Sequence, residues 1–200
     1  MPQQVKASAR DARRLRTRER ILGAAIAEYK RFGMAGAEVS SIVAAAGVAH
    51  GTFYFHFPTK EHVLLELEAR EEARIAQELS RFLDGPHDLA AALTEVVRLV
   101  LGLEAKLGRT LFRELLALHF SSSRPQSDGW NDHPVIVLLV REIERARGKG
   151  QVHPEVEAFY SATFFLLGIY GVITTAKTVD ARDSMLGELV VSAVRGLEIR

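Results

Sequence analysis

The stretch IVAAAGVAHGTFYFHFPTKE, Ile42 to Glu61, decides the reading of this chain. A short apolar run, Ile42 to Ala46, leads into Gly47 and Val48, and Ala49 to Phe55 then forms a second helix-sized segment dense in His, Thr and aromatic residues. Two short helices joined by a tight turn make a helix-turn-helix unit. Gly47 suits the turn because, without a Cβ, it takes positive φ at no steric cost. The second helix has the width that a DNA major groove admits.

The stretch resembles the DNA-binding signature of the TetR-family transcriptional repressors. Ile42, Ala46, Gly47, Val48, Gly51, Tyr54, His56, Phe57, Lys60 and Glu61 stand at the family's spacings, ten positions of the twenty. Two positions depart: Val43 stands where Ala is usual, and Ala49 stands where a Ser usually caps the recognition helix. Loss of that cap costs about 1 kcal/mol of local stability. The resemblance implies an operator-binding head, with Tyr54, His56 and Lys60 holding DNA phosphates and Phe57 packing the small domain.

The remaining composition agrees with a two-part helical chain. Of 200 residues 48% are hydrophobic, and there is no cysteine, which excludes disulfides and thiolate metal sites and fits a reducing, cytoplasmic setting. The N-terminus is polar and basic, unlike a signal peptide. Residues 159–176 approach the length of a membrane span, but Ser161, Thr163, Thr174 and Thr175 favour a buried helix, so no membrane partner is expected. Charge is uneven: residues 1–60 hold ten Lys/Arg against four Asp/Glu, and residues 61–200 hold sixteen against twenty-one. A basic head on a mildly acidic body is the pattern of a DNA-binding domain joined to one that does not bind DNA.

Apolar periodicity and breakers predict an all-α fold. A basic arm and helix-turn-helix domain are expected over 1–62, and a larger helical domain for effector binding and dimerisation over 63–200. The first helix is expected from Thr17 as N-cap, with Leu22, Ala25, Ile26, Tyr29 and Phe32 as its stripe and Gly33 as its end. Helices are then predicted near 40–46, 49–55, 60–85, 88–107, 109–120, 134–147, 154–177 and 183–197. Arg18 and Arg20 sit in the first expected turn, where the helix dipole disfavours cations, as phosphate ligands or as ordinary surface arginines.

The candidate DNA-binding set is Ser40, Ser41, His50, Gly51, Thr52, Phe53, Tyr54, His56 and Lys60. His50 and Thr52 have hydroxyl or imidazole groups for base edges or phosphates, and Phe53 has an apolar ring for a thymine methyl or for the core. Ser40 and Ser41 are placed either to donate to phosphate or to cap their helix. Phe55 is expected in the core beside Phe57. In the second domain Phe112, Leu116, His119, Phe120, Trp130, Tyr160, Phe164 and Phe165 are candidate lining for a pocket that takes a small apolar or aromatic effector. His87, His119, His133 and His153 lack metal spacing, and no nucleophile motif or phosphate loop occurs, so neither an enzyme nor a metal or other cofactor is expected. The apolar stripes over 166–173 and 186–197 are expected to build a four-helix dimer seam, with Gly168 and Gly171 allowing close approach. The sequence therefore reads as a homodimeric regulator on a palindromic operator, a repressor released by its effector. An effector-independent DNA-organising protein with the same head is the alternative.

Overall fold

The computed structural model describes residues 9–121 and 133–199. The described residues are mostly helical: α1 is Ala9–Gly36, α2 Val39–Ala46, α3 His50–His56, α4 Lys60–Leu83, α5 Leu89–Leu107, α6 Arg109–His119, α7 Pro134–Gly148, α8 Ala158–Thr175 and α9 Val179–Leu197. Extended pairing among them is limited to one antiparallel bridge, Val152 with Glu198. The all-α expectation holds.

Two compact units are present. One takes the chain up to Glu68 together with Leu107–His119; the other takes Ala69–Lys106 and the chain from Phe120 onward. The division expected at 62/63 thus moves into α4, and α6, expected in the second domain, joins the first. A polar contact accounts for α6: the Glu114 carboxylate accepts the Met34 N–H at 2.8 Å, beside a kink in α1. At that kink Gly33 has φ +70°, which favours glycine, and a Cβ there would stand 2.8 Å from a Glu114 oxygen and displace that carboxylate.

In the first unit α1 already includes Ala9, well ahead of the expected Thr17, because Ala9 to Arg16 are mostly strong helix formers. Ile21, Leu22, Ala25 and Tyr29 are buried, whereas Phe32 is exposed. Helix α2 packs on α1 and buries Ile42, Val43 and Ala46. Gly47 then adopts the left-handed conformation (φ 63°, ψ 45°), and the amides of Gly47 and Val48 return to the carbonyls of Ala44 and Val43. This closes α2 and aims the chain into α3. Ala49 caps α3 without a side-chain bond, as its missing hydroxyl implies.

Three groups hold α3 in place. Phe53 and Phe57 are fully buried, each contributing about 1.5–3 kcal/mol by area. Arg18 donates to the His56 carbonyl and to Glu66, with its guanidinium 4.1 Å from the Phe57 ring centroid. The Lys60 ammonium donates to the carbonyls of Met34, Ala35 and Ala37 at 2.7, 3.2 and 3.1 Å, and the Tyr29 hydroxyl donates to the Lys60 carbonyl at 3.2 Å. A cation at the end of α1 satisfies carbonyls that the helix leaves open. Burial, then the nearby Glu61 and Glu114, pushes the Tyr29 phenol above its usual range and keeps it a neutral donor.

The second unit packs α7 on α8 and α8 on α9. Its core includes Leu93, Val96, Ile136, Leu139, Ile143, Phe165, Leu166 and Ile169. Arg182 on α9 bonds Glu104 at 3.0 Å, and His87 and Arg145 meet Glu142 at 2.8 and 2.6 Å. Thr178 caps α9 by accepting the Ala181 N–H, which starts that helix earlier than the expected residue 183. The expected seam stripe is largely used within the chain: Leu186, Val190 and Leu197 are buried, and a Cβ on Gly168 would lie 3.0 Å from Leu189. Gly171, by contrast, faces open space.

The Lys60 geometry makes a stability prediction. Lys60→Met keeps the aliphatic stem and removes three charge-assisted hydrogen bonds, at an expected cost of about 1.5–3 kcal/mol. Urea unfolding should show a lower midpoint with an unchanged slope. An unchanged midpoint would mean that the ammonium does not hold the fold.

Candidate nucleic-acid interface

Helix α3 is two-faced. Successive residues advance 100° around a helix, so 50, 51, 54 and 55 share one side, and 52, 53 and 56 share the other. His50, Gly51, Tyr54 and Phe55 are exposed, while Phe53 and His56 are buried. The His50 and Tyr54 rings lie 5.4 Å apart, one helical turn from each other, and Phe53 meets the Tyr54 ring edge-on at 5.3 Å from beneath. The outward side therefore offers an imidazole and a phenol, both hydrogen-bonding groups, on a rigid apolar floor.

Basic groups border this side. Arg10, Arg13, Arg14, Arg16 and Arg20 on α1 are exposed. The Arg14 guanidinium sits 5.4 Å from the Phe55 ring centroid, and an Arg20 nitrogen lies 3.5 Å from the Gly47 carbonyl at the turn. Arg18, considered for phosphate binding, is committed to Glu66 and His56 instead.

The structure distributes the expected DNA-binding residues unevenly. His50, Gly51 and Tyr54 lie together on the open side. Thr52 is half-buried at its margin. Ser40 and Ser41 are exposed at the start of α2, and the Ser40 hydroxyl donates to Glu38 at 3.2 Å, next to a carboxylate that repels phosphate. Phe53 is core and not a groove contact, since no part of it reaches the surface. His56, expected at a phosphate, is also turned inward; its Nδ1 is buried without a hydrogen-bond partner. Burial, followed by the charges of Arg18 and Arg14, holds its pKa below the usual imidazole value, so it is neutral at neutral pH. Lys60, likewise expected at a phosphate, spends its ammonium on α1.

Phe55 departs from expectation in the opposite direction. Phe55, expected beside Phe57 in the core, is 68% exposed. Helical spacing carried the signal, because residues two apart point about 200° away from each other, and Phe53 already occupied the inward side.

The aromatic residues proposed for an effector pocket are also divided. Phe112, Leu116 and His119 belong to the first unit; Phe112 and Leu116 are core, and the His119 imidazole pairs with Glu68. Phe120, Tyr160, Phe164 and Phe165 belong to the second unit, and Trp130 lies outside the described residues. Phe164 and Phe165 line a groove of about 350 Å3 with Leu93, Ile143 and Leu189. Tyr160 stacks on Phe164 at 6.1 Å, and Phe120 meets Tyr170 edge-on.

Comparison with known proteins agrees with this geometry. Residues 21–67 match the family model described as bacterial regulatory proteins, tetR family. The chain is 25% identical over 183 residues to the HTH-type transcriptional regulator UidR of Escherichia coli K12, covering 90% of this chain and 92% of that protein. Among solved structures it resembles the fatty acid degradation regulator FadR from Bacillus halodurans, with a TM-score of 0.65 and 21% identity over 90% of this chain and 99% of FadR. It also resembles RolR in complex with resorcinol, with a TM-score of 0.69 and 16% identity over 94% and 91% of the two chains. Residues 21–67 are thus a tetR-family DNA-binding domain, joined to an all-helical body that resembles the folds of the solved regulators.

Proposed function

We propose that the protein is a cytoplasmic repressor that binds a palindromic operator as a homodimer and is released by a small apolar or aromatic effector. The observation that carries the reading is the open side of α3, where His50 and Tyr54 stand clear of the core beside the exposed arginines of α1. His50 is the base-reading residue and Thr52 contributes from the margin; Tyr54 and the α1 arginines hold phosphates.

Dimerisation is supported by what α8 leaves uncovered. This helix is long and apolar enough to cross a membrane by length and composition, yet it buries one side through Ala162, Phe165, Leu166 and Ile169. Its other side presents Tyr160 at 57% and Phe164 at 65% exposure, while α9 exposes Met185 and Val191. An apolar surface of this kind favours a second copy over water. The effector reading rests on the groove between these same helices, which places Ser161 and Ser192 among its apolar lining. Such a mixture of apolar walls and a few hydroxyls suits a small ligand of the class that RolR carries, an aromatic diol.

Three outcomes are expected. Tyr54→Phe should weaken binding on all duplexes alike, whereas His50→Ala should relax preference at particular base pairs by about 1–3 kcal/mol; selection from random duplexes that returns the wild-type consensus for His50→Ala removes it from base readout. Phe164→Arg, a change at an exposed position, should yield a folded monomer in sedimentation, with operator affinity lost because two half-sites are no longer engaged together. A dimer of normal affinity would place the seam elsewhere. An effector of the stated class should raise the melting temperature and weaken operator binding by its own preference for the free form, as linkage requires. Compounds that stabilise the protein and leave operator affinity unchanged would contradict release.

A further inference from the structure

Phe55 is an anomaly in the head. Its neighbours in the motif, Phe53 and Phe57, are fully buried, but its own ring is 68% exposed on the side of α3 that carries His50, Gly51 and Tyr54. An exposed phenyl group contributes little to folding, so its value lies in what covers it. Three observations say what that is. The ring is continuous with the hydrogen-bonding side of α3, one turn beyond Gly51, whose missing side chain opens the approach. A guanidinium, that of Arg14, lies over it at 5.4 Å. Arg10 and Arg13, on the same stretch of α1 as Arg14, are exposed as well, which favours a covering surface that is anionic at its edge and apolar where it meets the ring.

The base edges of a major groove expose one apolar group, the 5-methyl of thymine. We infer that Phe55 and Arg14 form a composite reader: the ring packs on one thymine methyl in each half-site, and the guanidinium over it binds the phosphate beside that base. The inference rests on α3 being the groove helix. Attraction to the ring face holds the guanidinium beside Phe55, and its several N–H donors suit a phosphate there better than a lysine ammonium would. An Arg14 bound in this way extends the interface from α3 onto the N-terminal part of α1. Phe55 then sets preference at a position separate from that read by His50.

Replacing thymine by deoxyuridine removes only the methyl group, so uridine scanning of a selected operator tests the proposal. Wild-type protein should lose affinity by about fourfold for the methyl under Phe55, the value of one apolar carbon removed from water. Phe55→Ala should bind thymine and uridine equally at that position, and Phe55→Leu should keep part of the discrimination. Arg14→Ala should weaken all duplexes alike and reduce the salt slope by about one phosphate contact. Both residues are exposed, and unchanged melting temperatures would show that the variants are folded. A Phe55→Ala uridine profile identical to wild type overturns the proposal. Loss of binding to anionic lipid vesicles in Phe55→Ala, with operator reading intact, also overturns it and assigns the ring to a membrane surface. Wild-type protein that selects no duplex at all refutes DNA reading by α3 itself, a different result from selective binding that does not depend on Phe55.

Discussion

A helix of seven residues does not persist alone in water, because nucleation costs more than so few hydrogen bonds return. Everything that α3 does therefore depends on its anchoring to α1 and α4. Phe53 and Phe57 supply the buried area, Gly47 supplies the left-handed turn that aims the chain, and Arg18 ties the last carbonyl of α3 to Glu66. Because the inward side is so completely occupied, the outward side has no freedom to rotate inward. His50 and Tyr54 are held outward by the same packing that forms the helix.

Cations of the head take two different physical roles. Arg18 and Lys60 are turned inward, where they satisfy carbonyl groups and a carboxylate that the fold would otherwise leave open. Arg10, Arg13, Arg14, Arg16 and Arg20 remain exposed and give the head its positive field. Net charge by sequence does not separate these groups. Arg18 and Lys60 are not available to replace counterions on a nucleic acid, so the salt dependence of binding follows from fewer charges than the sequence contains.

Much of this was legible in the residues. The turn glycine, the apolar run before it and the breakers at Pro58, Pro86 and Gly150 mark helix boundaries through local chemistry, and α2 and α3 fall within one residue of expectation. Local chemistry also accounts for the uncapped Ala49. What remained hidden is long-range. No local signal shows that Glu114 accepts the Met34 N–H across eighty positions, and so α6 was assigned to the wrong unit. Nor does spacing reveal that Lys60 reaches back to α1, since an ammonium at that motif position fits a phosphate equally well by chemistry alone. Phe55 is different: the helical period alone places it opposite Phe53. The aromatic residues of the body were recognised as a class, but which of them share a cavity depends on helix packing, and of the candidates Phe164 and Phe165 line the groove.

The central claim, that the open side of α3 is the DNA-reading surface, is tested most directly by amide spectra of the 15N-labelled protein with and without a selected duplex. The account predicts that perturbations concentrate at His50, Gly51, Tyr54 and Phe55 and along Arg10 to Arg14, with the Phe53 and Phe57 amides little changed. Perturbations centred on α8 and α9, with α3 silent at saturating DNA, would contradict it.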